Sequence, residues 1–186
     1  PWDNVERAIK KGTGELEGVS YEAVTYEGVG PAATLFLVDV MTDNRNRTAA
    51  EVRKIFDKHG GQLGSSGSAA WAFDEKGIIK LPAGAATEEQ LFEVAVAAGA
   101  EDMEVIGDEW IIKTPREGFE AVRSALEEAG LSPEEATLSQ IPKTPKMVDG
   151  KDAEQNIALF EALDEHDDVE NVFADFDLSE VALQQL

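Results

Sequence analysis

Residues 33–41, Ala-Thr-Leu-Phe-Leu-Val-Asp-Val-Met, put seven apolar side chains into nine positions without alternation. A strand with one wet face alternates, whereas a strand buried on both faces reads as a nearly continuous apolar run. The run therefore predicts a central strand. Ahead of it, Tyr21 to Glu27 alternates in strand fashion, and Gly28 to Pro31 forms a turn. Behind it, Thr48 with Glu51 predicts a capped helix ending at His59. Its Ala49, Val52, Ile55 and Phe56 fall at helical spacing, and Gly60 terminates it.

The remaining punctuation divides the chain further. Asp3 with Glu6 caps a short helix to Lys11, stopped by Gly12. Ser68 to Phe73 and Gly77 to Leu81 read as a hairpin around Asp74-Glu75-Lys76. Thr87 with Gln90 starts a helix through Ala98. Met103 to Ile106 and Glu109 to Lys113 form a hairpin across Gly107-Asp108. Thr114, Pro115 and Glu117 begin a helix bearing Phe119, Val122, Leu126 and Ala129, closed by Gly130, and Ala136 to Gln140 follows as a strand. Ile141 to Gly150 carries two prolines and a glycine and reads as a linker. A helix from Asp152 to His166, with Ala153, Ile157 and Phe160 on one face, and a strand from Val169 to Phe176 come last.

From Gly77 the order is strand, helix, strand, strand, helix, strand, a split βαβ arrangement. From Ala33 the same order recurs once the residues to about Lys146 are passed over. The expected fold is α+β: two ferredoxin-like α/β sandwiches, the second inserted into the first. The expected domains are residues 1–20 as a short helix and linker, 21–76 with 147–186 as a discontinuous domain, and 77–146 as the insertion. Gly77 to Leu81 suits either sheet.

Bulk chemistry narrows the function. The 186 residues contain no cysteine, which excludes disulfides, thiolate metal sites and thiol catalysis. No apolar run approaches membrane-spanning length and the start lacks signal-peptide features, so a cytoplasmic protein without membrane partners is expected. The net charge of −22 is uneven: residues 1–60 hold eight Lys/Arg and ten Asp/Glu, and residues 61–186 hold eight and twenty-eight. Phosphate binding draws on counterion release to Lys and Arg, so nucleic-acid contacts are expected from the amino-terminal third. The acidic remainder either keeps the chain soluble or faces protein partners.

Within that third, Thr42 to Arg47 (TDNRNR) concentrates guanidinium and amide groups before a helix start. Arginine forks and the first helical N–H groups both suit phosphate. Arg47, Lys54 and Lys58 share one side of the helix, continuing a basic stripe from Arg45, with Asn44 and Asn46 shaping the loop. The structural alternative is a solvated face on which Glu51 pairs with Lys54. Gly60, Gly61, Gly64, Ser65, Gly67 and Ser68 belong to a loop whose backbone N–H groups and hydroxyls could face phosphate or RNA sugars, or simply connect helix to strand. It has neither P-loop nor dinucleotide-site spacing. His59 and His166 have no partner at metal-ligand spacing, and Asp164 to Asp168 reads as a solvated helix end. No catalytic residue, metal or cofactor is expected.

Asp3 to Gly12, Tyr26 to Pro31, Met41 to Thr48 (MTDNRNRT), Gly60 to Ser68, and Phe73 before Lys76-Gly77 resemble the running landmarks of the YebC/PmpR family. Ala98 to Asp102, Leu126 to Leu131 and Ile141-Pro142 extend the resemblance along the chain, with Trp2, Ala32 and Ala69 as departures. The resemblance implies three domains with the third inserted in the second, and a basic amino-terminal helical domain that this chain lacks. It implies a non-enzymatic, DNA-binding transcriptional regulator. A ribosome- or rRNA-associated translation factor acting at proline runs, akin to the family's mitochondrial translational activator, is the first alternative. An acidic protein-interaction module is the second.

Overall fold

The computed structural model of the chain describes residues 20–184, so the helix expected over residues 3–11 lies outside them. No helix among the described residues is long and apolar enough to cross a membrane. In chain order the elements are β1 (Glu22–Val29), β2 (Leu35–Thr42), α1 (Arg45–Lys58), β3 (Gln62–Leu63) and β4 (Phe73–Pro82). Next come α2 (Glu88–Leu91, continued by a π-helical stretch Phe92–Val96), β5 (Asp102–Ile106), β6 (Glu109–Pro115), α3 (Phe119–Glu128) and β7 (Glu135–Pro142). The last are β8 (Lys146–Val148), α4 (Gly150–Asp164), β9 (Val169–Ala174), β10 (Phe176–Leu178) and α5 (Glu180–Gln184). The fold is α+β, in two compact units. The first is formed by the chain up to Phe73 and again from Pro142, the second by Asp74–Ile141.

In the first unit β2 is the strand around which the rest is layered, in a sheet of order β3-β1-β2-β9. Phe36, Val38 and Val40 point to one face, where Val52 and Phe56 of α1 and Leu159 and Leu163 of α4 bury them. Leu37 points to the other face and is covered by Ala69, Ala72 and Phe73. Period-two alternation puts neighbouring side chains on opposite faces, so an unbroken apolar run is stable only with cover on both. Phe36 meets Phe56 edge to face at a ring separation of 5.9 Å.

The second unit has sheet order β5-β6-β4-β7 and the strand–helix–strand, strand–helix–strand sequence expected of a split βαβ. Ile79, Leu81 and Ile112 from the sheet pack with Leu91, Phe119, Val122 and Leu126 from the helices. Thr87 and Gln90 form a reciprocal capping box, as their spacing predicts.

Several expectations are corrected. Asn44, and not Thr48, caps α1: its side chain accepts the Arg47 N–H, and Thr48 is buried one turn inside. The hairpin expected over residues 68–81 is absent; Ala70–Ala72 is a 3₁₀ turn, and Asp74 to Lys76 lie within the continuous strand β4. Thr114 and Pro115 are the last residues of β6, the Thr114 hydroxyl donates to the Pro115 carbonyl, and α3 begins only at Phe119. The expected linker contains β8, which pairs in parallel with β10, and the expected last strand breaks at Asp175. Helix α4 buries Ala153, Asn156, Leu159 and Leu163, because Asn156 is satisfied by Thr34 Oγ1 and the carbonyls of Pro31 and Asp152. The leading hairpin β1–β2 makes the first unit start with two strands, so its element order differs from that of the second.

Candidate nucleic-acid interface

The earlier start of α1 places Arg45, Asn46 and Arg47 in its first turn instead of in a loop. Thr42 Oγ1 accepts the Asn44 N–H and meets Thr48 Oγ1 at 2.7 Å, which ties the end of β2 to the helix start. Arg45 is largely exposed and lies 3.7 Å from Glu22, while its carbonyl accepts the Tyr26 hydroxyl. Asn46 is exposed beside it. Arg47 is held differently. Its Nη2 is 3.0 Å from Asp43 and 3.3 Å from the buried Asp168, and hydrogen bonds to both carboxylates raise its pKa further.

Lys54 and Lys58 are exposed further along the helix, as is Arg53, and among the described residues no carboxylate lies within ion-pair distance of them. Glu51, the expected partner of Lys54, instead meets His166 Nε2 at 2.6 Å. The basic face thus divides: Arg47 is paired with two carboxylates, Arg45 is loosely paired, and Lys54 and Lys58 are exposed with no ion-pair partner among the described residues. Arg53 belongs with them, although the helical stripe over Arg47, Lys54 and Lys58 passes it by.

The glycine-serine loop turns its donors inward. Gly60 takes φ +78° to end the helix, Gly61 N–H bonds to Phe56 O, and Gly64 N–H to Glu27 O. Gly67, Ala69 and Ala70 donate their N–H groups to the Glu27 carboxylate at 2.7, 2.9 and 2.6 Å. Burial opposes ionisation of Glu27, but these three donors outweigh it and hold its pKa below the ordinary glutamate value. The chain therefore fills its own anion-binding nest. Ser68 donates its N–H to Ser65 O, and its buried Oγ has no hydrogen-bond partner. Ser65 and Ser66 remain exposed.

Two features escaped sequence reasoning. Trp71 stands 65% exposed just past the loop, in a segment expected to be strand. Glu51, His166 and Asp168 bring one ligand atom each to within 4.8 Å of one another, although Glu51 lies far away in sequence. They line a cavity of about 330 Å³ with Arg47, Glu165 and Asp167. The solvated helix end expected at Asp164 to Asp168 is corrected at Asp168, which is buried beneath Arg47 and Thr48, while Asp164, Glu165 and Asp167 are exposed. The Asp168 N–H donates to His166 Nδ1, so Nδ1 accepts and Nε2 carries the hydrogen given to Glu51. That tautomer occupies the ring nitrogen a metal ion would need. The cluster therefore reads as a hydrogen-bonded clasp between α1 and the α4–β9 turn.

Comparison with known proteins places this geometry. A sequence model of the TACO1/YebC second and third domain matches residues 21–176. A probable transcriptional regulatory protein of Rubrobacter xylanophilus is 48% identical over 187 residues, covering all of this chain and 75% of that protein. One from Geobacter sulfurreducens is 48% identical over 186 residues with the same coverage. The crystal structure of a conserved hypothetical protein from Aquifex aeolicus superposes with a TM-score of 0.81 at 44% identity, covering 97% of this chain and 74% of that one. With the family sequence model spanning most of its length and near-half identity along all of it, this chain belongs to the TACO1/YebC family.

Proposed function

We propose that the chain is a cytoplasmic, non-enzymatic regulator of gene expression that binds nucleic acid through the exposed face of α1. The carrying observation is that, among the described residues, no carboxylate lies within ion-pair distance of Lys54 or Lys58, in a chain of net charge −22. Elsewhere Lys76, Lys80, Arg116 and Arg123 are matched, by Glu101, Glu135, Glu75 and Glu120. Arg45 adds a third phosphate contact at the helix start, and Arg47 positions that start through Asp43 and Asp168. The glycine-serine loop contributes the exposed Ser65 and Ser66, its inner N–H groups being occupied. Relatives named as probable transcriptional regulators favour DNA as the ligand.

The test is crosslinking in cells, with sequencing of the bound DNA and RNA, for the wild type and for Lys54→Ala/Lys58→Ala. Crosslinks at discrete promoters that weaken in the variant support the reading. Crosslinks confined to ribosomal RNA would replace DNA by the ribosome. In vitro, the slope of log affinity against log salt on duplex DNA should fall by about two when both lysines are removed. An unchanged slope would leave the acidic surface, facing protein partners, as the working part.

A further inference from the structure

Helix α2 carries apolar side chains on both its faces. Leu91 and Ala95 turn inward and are fully buried in one cluster with Ile79, Leu81 and Ile112, so the core on this side is already filled. Phe92 and Val96 turn away from it and stand 57% and 36% exposed, with Ala97 open beside them. From Phe92 to Val96 the backbone is π-helical, its hydrogen bonds closing from i to i+5. The wider turn brings residues four apart nearly into line, so Phe92 and Val96 make one patch. An aromatic ring beside a branched aliphatic chain is the kind of surface on which a protein partner's apolar side chain packs.

The charge around the patch decides what can cover it. Glu88 and Glu89 stand one turn before Phe92, and Glu93 follows it. All three are exposed, and among the described residues no cation lies within ion-pair distance of them. The second unit holds five Lys/Arg against sixteen Asp/Glu, and none of the five serves this face. Lys76, Lys80 and Lys113 alternate with the buried Ile79, Leu81 and Ile112, so they point to the side of the sheet away from the helices. Arg116 is paired with Glu75, and Arg123 on α3, the helix packed beside α2, is held by Glu120 and Glu127. Like charge therefore excludes nucleic acid, an anionic lipid surface and the same face of a second copy. Small cations would answer the carboxylates but leave Phe92 and Val96 in water. The occupant has to bring positive charge and apolar side chains together.

We propose that the Phe92–Val96 face of α2 docks a basic amphipathic segment of a partner protein. Its apolar residues pack on Phe92 and Val96, and its Lys or Arg side chains pair with Glu88, Glu89 and Glu93. The apolar contact holds the segment, while the carboxylates orient it and speed the encounter. This gives the acidic unit a contact of its own, independent of whether α1 binds nucleic acid.

The experiment titrates the whole chain into three labelled synthetic peptides of equal length and follows their fluorescence anisotropy. One has leucine at helical spacing and lysine elsewhere, the second has glutamate for lysine, and the third has serine for leucine. The first is expected to bind most tightly, with affinity falling as salt rises, and the glutamate peptide not to bind. Phe92→Ala/Val96→Ala should weaken the first peptide about tenfold or more. Both side chains are exposed, so the Tm of that variant should match the wild type. Glu88→Gln/Glu89→Gln/Glu93→Gln should weaken binding and flatten its salt dependence. Glu104→Gln/Asp108→Asn/Glu134→Gln removes as much charge from other exposed positions of the unit and should leave both nearly unchanged. Equal losses in the two triple variants would show attraction to acidity at large and overturn the proposal. So would equal affinity for the leucine-free peptide, unchanged affinity in Phe92→Ala/Val96→Ala, or no binding of any peptide.

Discussion

Glu27 on β1 accepts the backbone N–H of Ala70 at 2.6 Å, forty-three residues further along the chain. With Gly67 and Ala69 as further donors, this one carboxylate shapes the segment that covers the second face of β2. Replacement by glutamine keeps an acceptor but turns an amide N–H₂ toward backbone donors. Glu27→Gln should cost about 1–3 kcal/mol in a denaturant titration. The folded carboxyl titrates below its unfolded value, so its stabilisation is present above about pH 4.3 and is lost as pH falls through the folded value. The melting curves of the two proteins should converge in acid. A gap that stays constant there would assign the loss to shape alone.

Asp175 has the opposite sign. Burial raises its pKa, and the Leu35 N–H and the Lys146 charge offset that only in part. A carboxyl whose folded pKa is raised costs stability while ionised, and that cost disappears below the unfolded value of about 3.9. Asp175→Asn retains the acceptor for Leu35 without the charge. Its Tm should rise by about 2 °C at neutral pH and match the wild type in strong acid. A lower Tm at neutral pH would show that the attraction to Lys146 outweighs burial.

Ala32 and Ala33 both have positive φ, 62° and 60°, in the turn between β1 and β2. The left-handed region costs a residue bearing Cβ about 1–2 kcal/mol, and glycine avoids it. Ala32 is exposed, so no packing is lost on replacement. Ala32→Gly should raise Tm by about 2–4 °C. Calorimetry that finds no gain would mean the turn relaxes around alanine.

Asp168 accepts from Thr48 Oγ1 at 2.8 Å and from Arg47 at 3.3 Å. Asp168→Ala should destabilise the chain by about 1–2 kcal/mol, because the donors Thr48 Oγ1 and Arg47 each lose one acceptor while Thr42 Oγ1 and Asp43 remain in reach. Thr48→Val removes one of these donors, so the double variant should lose less than the sum of the singles. Full additivity, measured by urea unfolding, would show that the clasp is not one network.

Helix α1 shows how much was legible. The apolar positions Val52 and Phe56 and the Gly60 stop stand at helical spacing and fall where expected. Its start did not, because Asn44 and Thr48 are both competent caps and a capping box favours the latter. The choice was made by Thr42 and Asp168, which bury the Thr48 hydroxyl. The basic residues were equally visible, but which of them keep their charge depended on carboxylates distant in sequence.

The chain's own periodicity and punctuation determined the central strand β2, the amphipathic faces of α1 and α3, and the split βαβ order of the second unit. Each of these depends on residues within a turn or a strand of one another. Tertiary structure alone decided that Glu27 fills the loop's nest, that β8 pairs in parallel with β10, that Arg47 is bound to Asp168, and that Trp71 is left exposed. Those outcomes join residues separated by tens of positions or more. Buried donors and charges take whichever partner the packed core brings within hydrogen-bond reach, and linear spacing carries no record of that.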